Sequence, residues 1–196
     1  KKLKKNNKKL FLLSCGVDKK SIEYALNEKF RYSILSPYLK NPNLKKSYRY
    51  ILKYTSKNYI KLYEYLKENV NGIISSDIDY HIPYLNEKKY LGLIPNPINV
   101  DKIKYKKIEI HDKIKILHAV NSKNYLKKGN IFFDKALNFI KEKYKDKVEI
   151  INTVDLSYVD HIESVENSHI VLDQVYAYDQ GYNALEAMAL GKVVFT

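Results

Sequence analysis

The second half of the chain alternates short apolar runs with amphipathic stretches on brief connections, and that order constrains the fold more than any other feature. Residues 114–120 read IKILHAV, 148–151 VEII, 169–172 HIVL and 193–195 VVF, each of a length that suits one buried strand. After the first, Phe133, Ala136, Leu137, Ile140 and Tyr144 recur at helical steps and form one apolar face. After the second, Asp155 or Ser157 can cap a helix carrying Tyr158, Ile162 and Val165. A last helix over 182–190 closes at Gly191, a residue suited to a left-handed cap. Strands alternating with helices on short connections form a doubly wound parallel sheet, and ligands of such sheets bind beyond the carboxyl ends of the strands.

The first half is less regular. Residues 10–15 (LFLLSC) form a continuous apolar run, as in a buried parallel strand, and Asp18 can cap a helix running to about Lys29. Pro37, Asn41 and Pro42 mark a loop. From 47 to 69 the apolar residues recur at three- and four-residue steps and predict one helix. Its tyrosines could stack on bases, but tyrosine at helical spacing is more often half-buried packing. Residues 70–75 and 90–94 read as two further strands. Pro95-Asn96-Pro97 ends the pattern, because two prolines around an asparagine continue neither strand nor helix. The domain reading is therefore 1–97, a polar, basic linker over 98–112, and 113–196.

Composition removes several classes of function. The 196 residues hold one cysteine, Cys15, which excludes an internal disulfide and fits a reducing cytoplasm. The basic opening is followed by an apolar run too short for a signal peptide. No apolar run is long enough to span a membrane. The net charge of +13, from 35 basic and 22 acidic residues, raises the reading of a nucleic-acid binder. The lysines are spread along the whole chain and only Arg31 and Arg49 are arginines, so a solvated lysine surface is preferred and no nucleic acid is expected. A basic face also suits peripheral contact with an anionic membrane. The histidines show no metal spacing, and no GxGxxG follows a strand. His118, in the first strand of the second half, reads as a packed histidine before it reads as a phosphate contact.

The strand ends of the second half carry the chemistry. The first is followed by Asn121-Ser122-Lys123 and then by Lys127-Lys128-Gly129 ahead of a helix. A glycine that allows close approach, a helix N-terminus and a lysine together suit a phosphate. The third ends at Asp173-Gln174 and runs through a polar, tyrosine-rich loop to Gly181, which opens the last helix. Glu186 lies about one turn into that helix, where a carboxylate can accept hydrogen bonds from two hydroxyls at once. Its other reading is an acid favoured by the helix dipole.

The run GYNALEAMALGKVVF resembles the signature helix of glycosyltransferase family 4, the group-1 glycosyltransferases. IKILHAV followed by KKG is similar to that family's phosphate-contacting strand and loop, and LIPNPINVDKI resembles its interdomain linker. The likeness covers about 73–196 and is most specific over 181–194. It implies an α/β fold of the GT-B type, with two Rossmann-like doubly wound domains, both incomplete in this chain: the end of the acceptor-side domain over 1–97 and a nucleotide-sugar-binding domain over 113–196. It also implies transfer of a sugar from a nucleotide diphosphate donor to a polysaccharide or glycolipid precursor, with retention, no cofactor and no metal. Carried over residue by residue, Lys128 contacts the diphosphate and Glu186 the ribose hydroxyls. Gly129, Gly181 and the N–H groups of Tyr182 and Asn183 approach phosphate or sugar. Thr153 and Val154 meet the base. Lys123 stands where the family usually has arginine, keeping the charge but losing the bidentate fork. Many members carry a second glutamate eight residues before the position of Glu186; here that residue is Tyr178, and Asp179 beside it is the candidate for the role. The partners implied are a nucleotide-sugar donor and a glycan or lipid-linked acceptor, met in the cytoplasm or at the inner membrane face. A non-catalytic subunit that binds a nucleotide sugar is the alternative.

Overall fold

The computed structural model describes residues 2–178 and 180–196. They fall into two compact units, Lys1–Asn96 and Pro97–Thr196. The segment expected as a linker, 98–112, is counted with the second unit. Ile103 packs against that unit's core, and the Lys106 N–H donates to the Leu190 carbonyl at 3.2 Å.

The first unit runs α1 (Lys2–Asn6), β1 (Phe11–Ser14), α2 (Lys19–Leu26), α3 (Ser36–Lys40), α4 (Arg49–Leu52), α5 (Lys57–Asn69), β2 (Gly72–Ser75), α6 (Ile78–Tyr84) and β3 (Tyr90–Leu93). Its strands form a parallel sheet in the order β1-β2-β3. Asp18 caps α2 as its position suggests, accepting from the Ser21 N–H at 2.7 Å. The single helix expected over 47–69 is broken. The Thr55 hydroxyl donates to the Leu52 carbonyl, a local bond that competes with helix, and Ser56 is extended (ψ 155°) at the start of α5. The tyrosines of this stretch serve packing. Tyr48 is buried with Ile22, Leu35 and Ile51, and Tyr63 with Val70, Ile73 and Tyr84.

Lys89 closes the C-terminus of α5. Its ammonium donates to the carbonyls of Lys67, Glu68 and Val70 at 3.0, 2.7 and 2.9 Å. These are the carbonyls a helix end leaves unpaired, and a cation there is favoured by the dipole. Lys89→Met is expected to lower stability by about 1–2 kcal/mol in urea denaturation. An unchanged midpoint would show that water replaces the ammonium without cost.

The second unit runs β4 (Ile114–Val120), α7 (Tyr125–Lys128), α8 (Asn130–Tyr144), β5 (Val148–Val154), α9 (Tyr158–Glu166), β6 (Ile170–Leu172), α10 (Tyr182–Ala189) and β7 (Val193–Phe195). The sheet is parallel throughout, in the order β5-β4-β6-β7. The period of two along β4 assigns its faces. Ile116 packs with Leu137, Phe133 and Ile140 of α8, while Leu117 packs with Val165 of α9, Ala187 of α10 and Leu190 at its end. Helices therefore cover both faces, as expected of a doubly wound sheet. Burying a side chain such as Leu117 is worth about 2 kcal/mol. The chain steps from β4 outward to β5 and then crosses to β6 on the other side, so the order reverses between β4 and β6. That reversal is the place where such sheets bind ligands. Among the described residues, no helix is long and apolar enough to cross a membrane.

Candidate functional site

A cleft of about 360 Å³ opens at the carboxyl ends of β4 and β5. Its walls come from Ala119, Val120, Asn121 and Asn124 after β4, Thr153, Asp155 and Leu156 after β5, Tyr158 and His161 on α9, Lys128, and Asn183 on α10. Three of the residues expected at the site, Lys128, Thr153 and Asn183, thus meet in one cleft although they are far apart in sequence.

Lys128 ends the one-turn helix α7, and Gly129, in the left-handed conformation (φ 72°), turns the chain into α8. The Lys128 ammonium lies 2.5 Å from Oδ1 of Asp173, just past the end of β6. Asn183 donates to the same oxygen at 3.3 Å. The Asp173 side chain is 1% exposed, and its Oδ2 has no hydrogen-bond partner. The Val175 N–H donates to the Lys128 carbonyl at 2.8 Å, so backbone and side chain of Lys128 both hold the segment that follows β6. Gly129 also lies close to this segment. A Cβ there would lie 3.0 Å from Val175 and 3.1 Å from the Tyr176 ring. Tyr176 is likewise buried, edge-on against Phe132.

The β5 edge is built from two turns. Asp155 has a positive φ of 50° and accepts from Ser122 through N–H (2.8 Å) and hydroxyl (2.6 Å). These bonds, the hydroxyl first, hold its carboxyl below the usual range. Ser157, the other candidate cap, starts α9 by accepting from the Asp160 N–H. The first residue of that helix, Tyr158, donates its hydroxyl to Oε1 of Glu186 at 2.8 Å. Thr153 Oγ1 and His161 Nε2, on cleft-lining residues, are buried without a partner. Orphaned polar atoms of this kind cost about 1–3 kcal/mol each, so two of them on the walls of one cleft call for an explanation.

Other expected residues lie at the margin. Lys123 is exposed in the turn after β4, with its charge near Asp155. Val154 points away from Thr153 and is exposed. Gly181 starts α10, where the N–H groups of Tyr182 and Asn183 precede the first helical bonds, from Ala184 and Leu185 to Gly181. Asp179 lies outside the described residues. His118 is packed as expected: it is buried, 2.9 Å from Asn130 Oδ1 and 3.3 Å from Asp134 Oδ1, edge-on to Phe133. Tyr158 and His161 were not singled out as site residues by sequence reasoning, and Asp173 was named only for its place at a strand end. The available signals were that Asp173 ends a strand and that Tyr158 and His161 share the first turn after one.

No family model matches the chain, and no curated protein does. Among solved structures it is similar to TarM, a glycosyltransferase, with 15% identity and a TM-score of 0.45 over 70% of this chain. The chain spans 32% of the length of TarM. The likeness is a coarse one and says nothing of the cleft.

Proposed function

We propose that the second unit is the nucleotide-sugar half-site of a GT-B glycosyltransferase, which moves a sugar from a nucleoside diphosphate to a polysaccharide or glycolipid precursor with retention. The observation that carries the reading is the meeting of Lys128, Thr153 and Asn183 in one cleft at the sheet's order reversal. Lys128 and the start of α10 supply positive charge for the diphosphate, with Lys123 at the rim. Glu186 accepts the ribose hydroxyls, and the β5 edge at Thr153 and Val154 meets the base. Catalysis asks for charge stabilisation of the leaving diphosphate and placement of an acceptor hydroxyl, and neither calls for a cofactor or metal. A non-catalytic nucleotide-sugar-binding subunit is the second reading. It is favoured by Tyr178 standing where many relatives by resemblance carry their first glutamate.

Glu186→Gln tests the ribose assignment. The amide loses half of the acceptor capacity, so nucleoside diphosphate affinity is expected to fall by about 1–2 kcal/mol while inorganic pyrophosphate, which has no ribose, is unaffected. Equal loss for both ligands in calorimetry would assign Glu186 to the helix dipole instead. Sugar transfer from UDP-, GDP- or ADP-sugars to a glycan or lipid-linked acceptor separates the enzyme from the binding subunit. Transfer supports the first reading, and donor binding without transfer supports the second.

A further inference from the structure

Tyr158 fits poorly as an ordinary surface tyrosine. It is 64% exposed, yet it lines the cleft, and its hydroxyl reaches from the start of α9 to Glu186 on α10. An exposed phenol satisfied by water has no need of a carboxylate on another helix. The hydrogen bond to the Glu186 carboxylate raises the phenol's pKa above its ordinary value. Tyr158 lines the same cleft as Thr153 and Leu156, at the carboxyl end of β5.

We infer that Tyr158 sets nucleotide recognition in this cleft: its hydroxyl competes with a ribose diol for Glu186, and its ring is the face on which the base stacks. The inference rests on the assignment of Glu186 to ribose. A carboxylate has two oxygens and accepts from both hydroxyls of a diol, whereas a phenol offers one donor, so the diol displaces it. Displacement frees the ring but leaves it at the wall, where a heteroaromatic face covers apolar area that water otherwise meets. One residue then tunes two properties in opposite directions. Its hydroxyl weakens every ligand that needs Glu186, and its ring strengthens every ligand that carries a base.

Calorimetry on the whole chain separates the two. The ligands are the tightest binder among UDP, GDP and ADP, its 2′-deoxy counterpart, and inorganic pyrophosphate. Tyr158→Phe keeps the ring and removes the competitor. It is expected to tighten the ribonucleotide about three- to tenfold, the scale of one net hydrogen bond, and to leave the deoxynucleotide and pyrophosphate within about twofold. Tyr158→Ala, measured against Tyr158→Phe, is expected to weaken both nucleotides about tenfold and to spare pyrophosphate. An unchanged or weaker ribonucleotide in Tyr158→Phe, or identical nucleotide affinities in the two variants, overturns the inference alone. A wild-type chain that binds nucleotides no better than pyrophosphate overturns the ribose assignment, and this inference with it.

Discussion

Lys128→Ala is expected to destabilise the second unit by about 3 kcal/mol, and the paired change Lys128→Met with Asp173→Asn to recover most of that loss without recovering diphosphate affinity. The cause is asymmetric burial. Asp173 is 1% exposed on its side chain and Lys128 27%, so the lysine brings to a buried carboxylate the charge that water cannot. Asn183 donates one further bond to the same oxygen, and Oδ2 has none. Removing the ammonium leaves a buried carboxylate with a single amide partner, the situation in which breaking an ion pair costs most. Removing both charges leaves a neutral amide at position 173 that still accepts from Asn183, and methionine fills the lysine's path with an unbranched chain of similar length. Urea denaturation of the three proteins checks the stability, and titration with nucleoside diphosphate checks the affinity. A Lys128→Ala protein as stable as the wild type would show that water already reaches Asp173.

Gly191→Ala is expected to cost about 2–4 kcal/mol, more than a glycine-to-alanine change at an ordinary helix end. Two effects add. Gly191 has φ 86°, where any Cβ is strained. A Cβ there would also lie 2.7 Å from the Lys106 carbonyl oxygen and 2.7 Å from the Tyr105 ring. The ring can swing away, but the carbonyl is backbone, and Lys106 is tied to Leu190 by its own N–H. Relief therefore means peeling the segment around Tyr105 and Lys106 from the end of α10. Lys192 would move as well. Its ammonium donates to the Glu166 carbonyl at 2.8 Å, at the C-terminus of α9. Loss below about 1 kcal/mol in urea denaturation would show that this segment is not held as described.

What the sequence discloses follows the range of its signals. β4 and β7 fall on the runs 114–120 and 193–195, because each is an apolar stretch bounded by polar residues. The helix over 182–190 ends one residue early, and its glycine cap sits where expected. β5 extends to Val154, three residues past its apolar run, because Asn152 and Thr153 pair with His118 and Ala119 of a strand already fixed. The short helix α7 is hidden in NYLKK, since one turn is too short to show a period. The break at Ser56 is invisible for a related reason: the apolar steps continue through it while the backbone does not. Of the site residues, Lys128 in the cleft and Glu186 bonded to its wall at Tyr158 stand out by local context. Their partners Asp173 and Tyr158 do not, because each contact joins elements brought together only by the sheet.

On the proposed function, the cleft at the ends of β4 and β5 takes a nucleoside diphosphate through Lys128. The most direct test is calorimetric titration of UDP, GDP and ADP into the wild-type chain and into the folded Lys128→Met/Asp173→Asn protein. At least one nucleotide is expected to bind the wild type at one site, with an affinity for the paired variant lower by at least about tenfold, the scale of a charge-assisted bond. Binding of none of the three, or equal binding to both proteins, would contradict it.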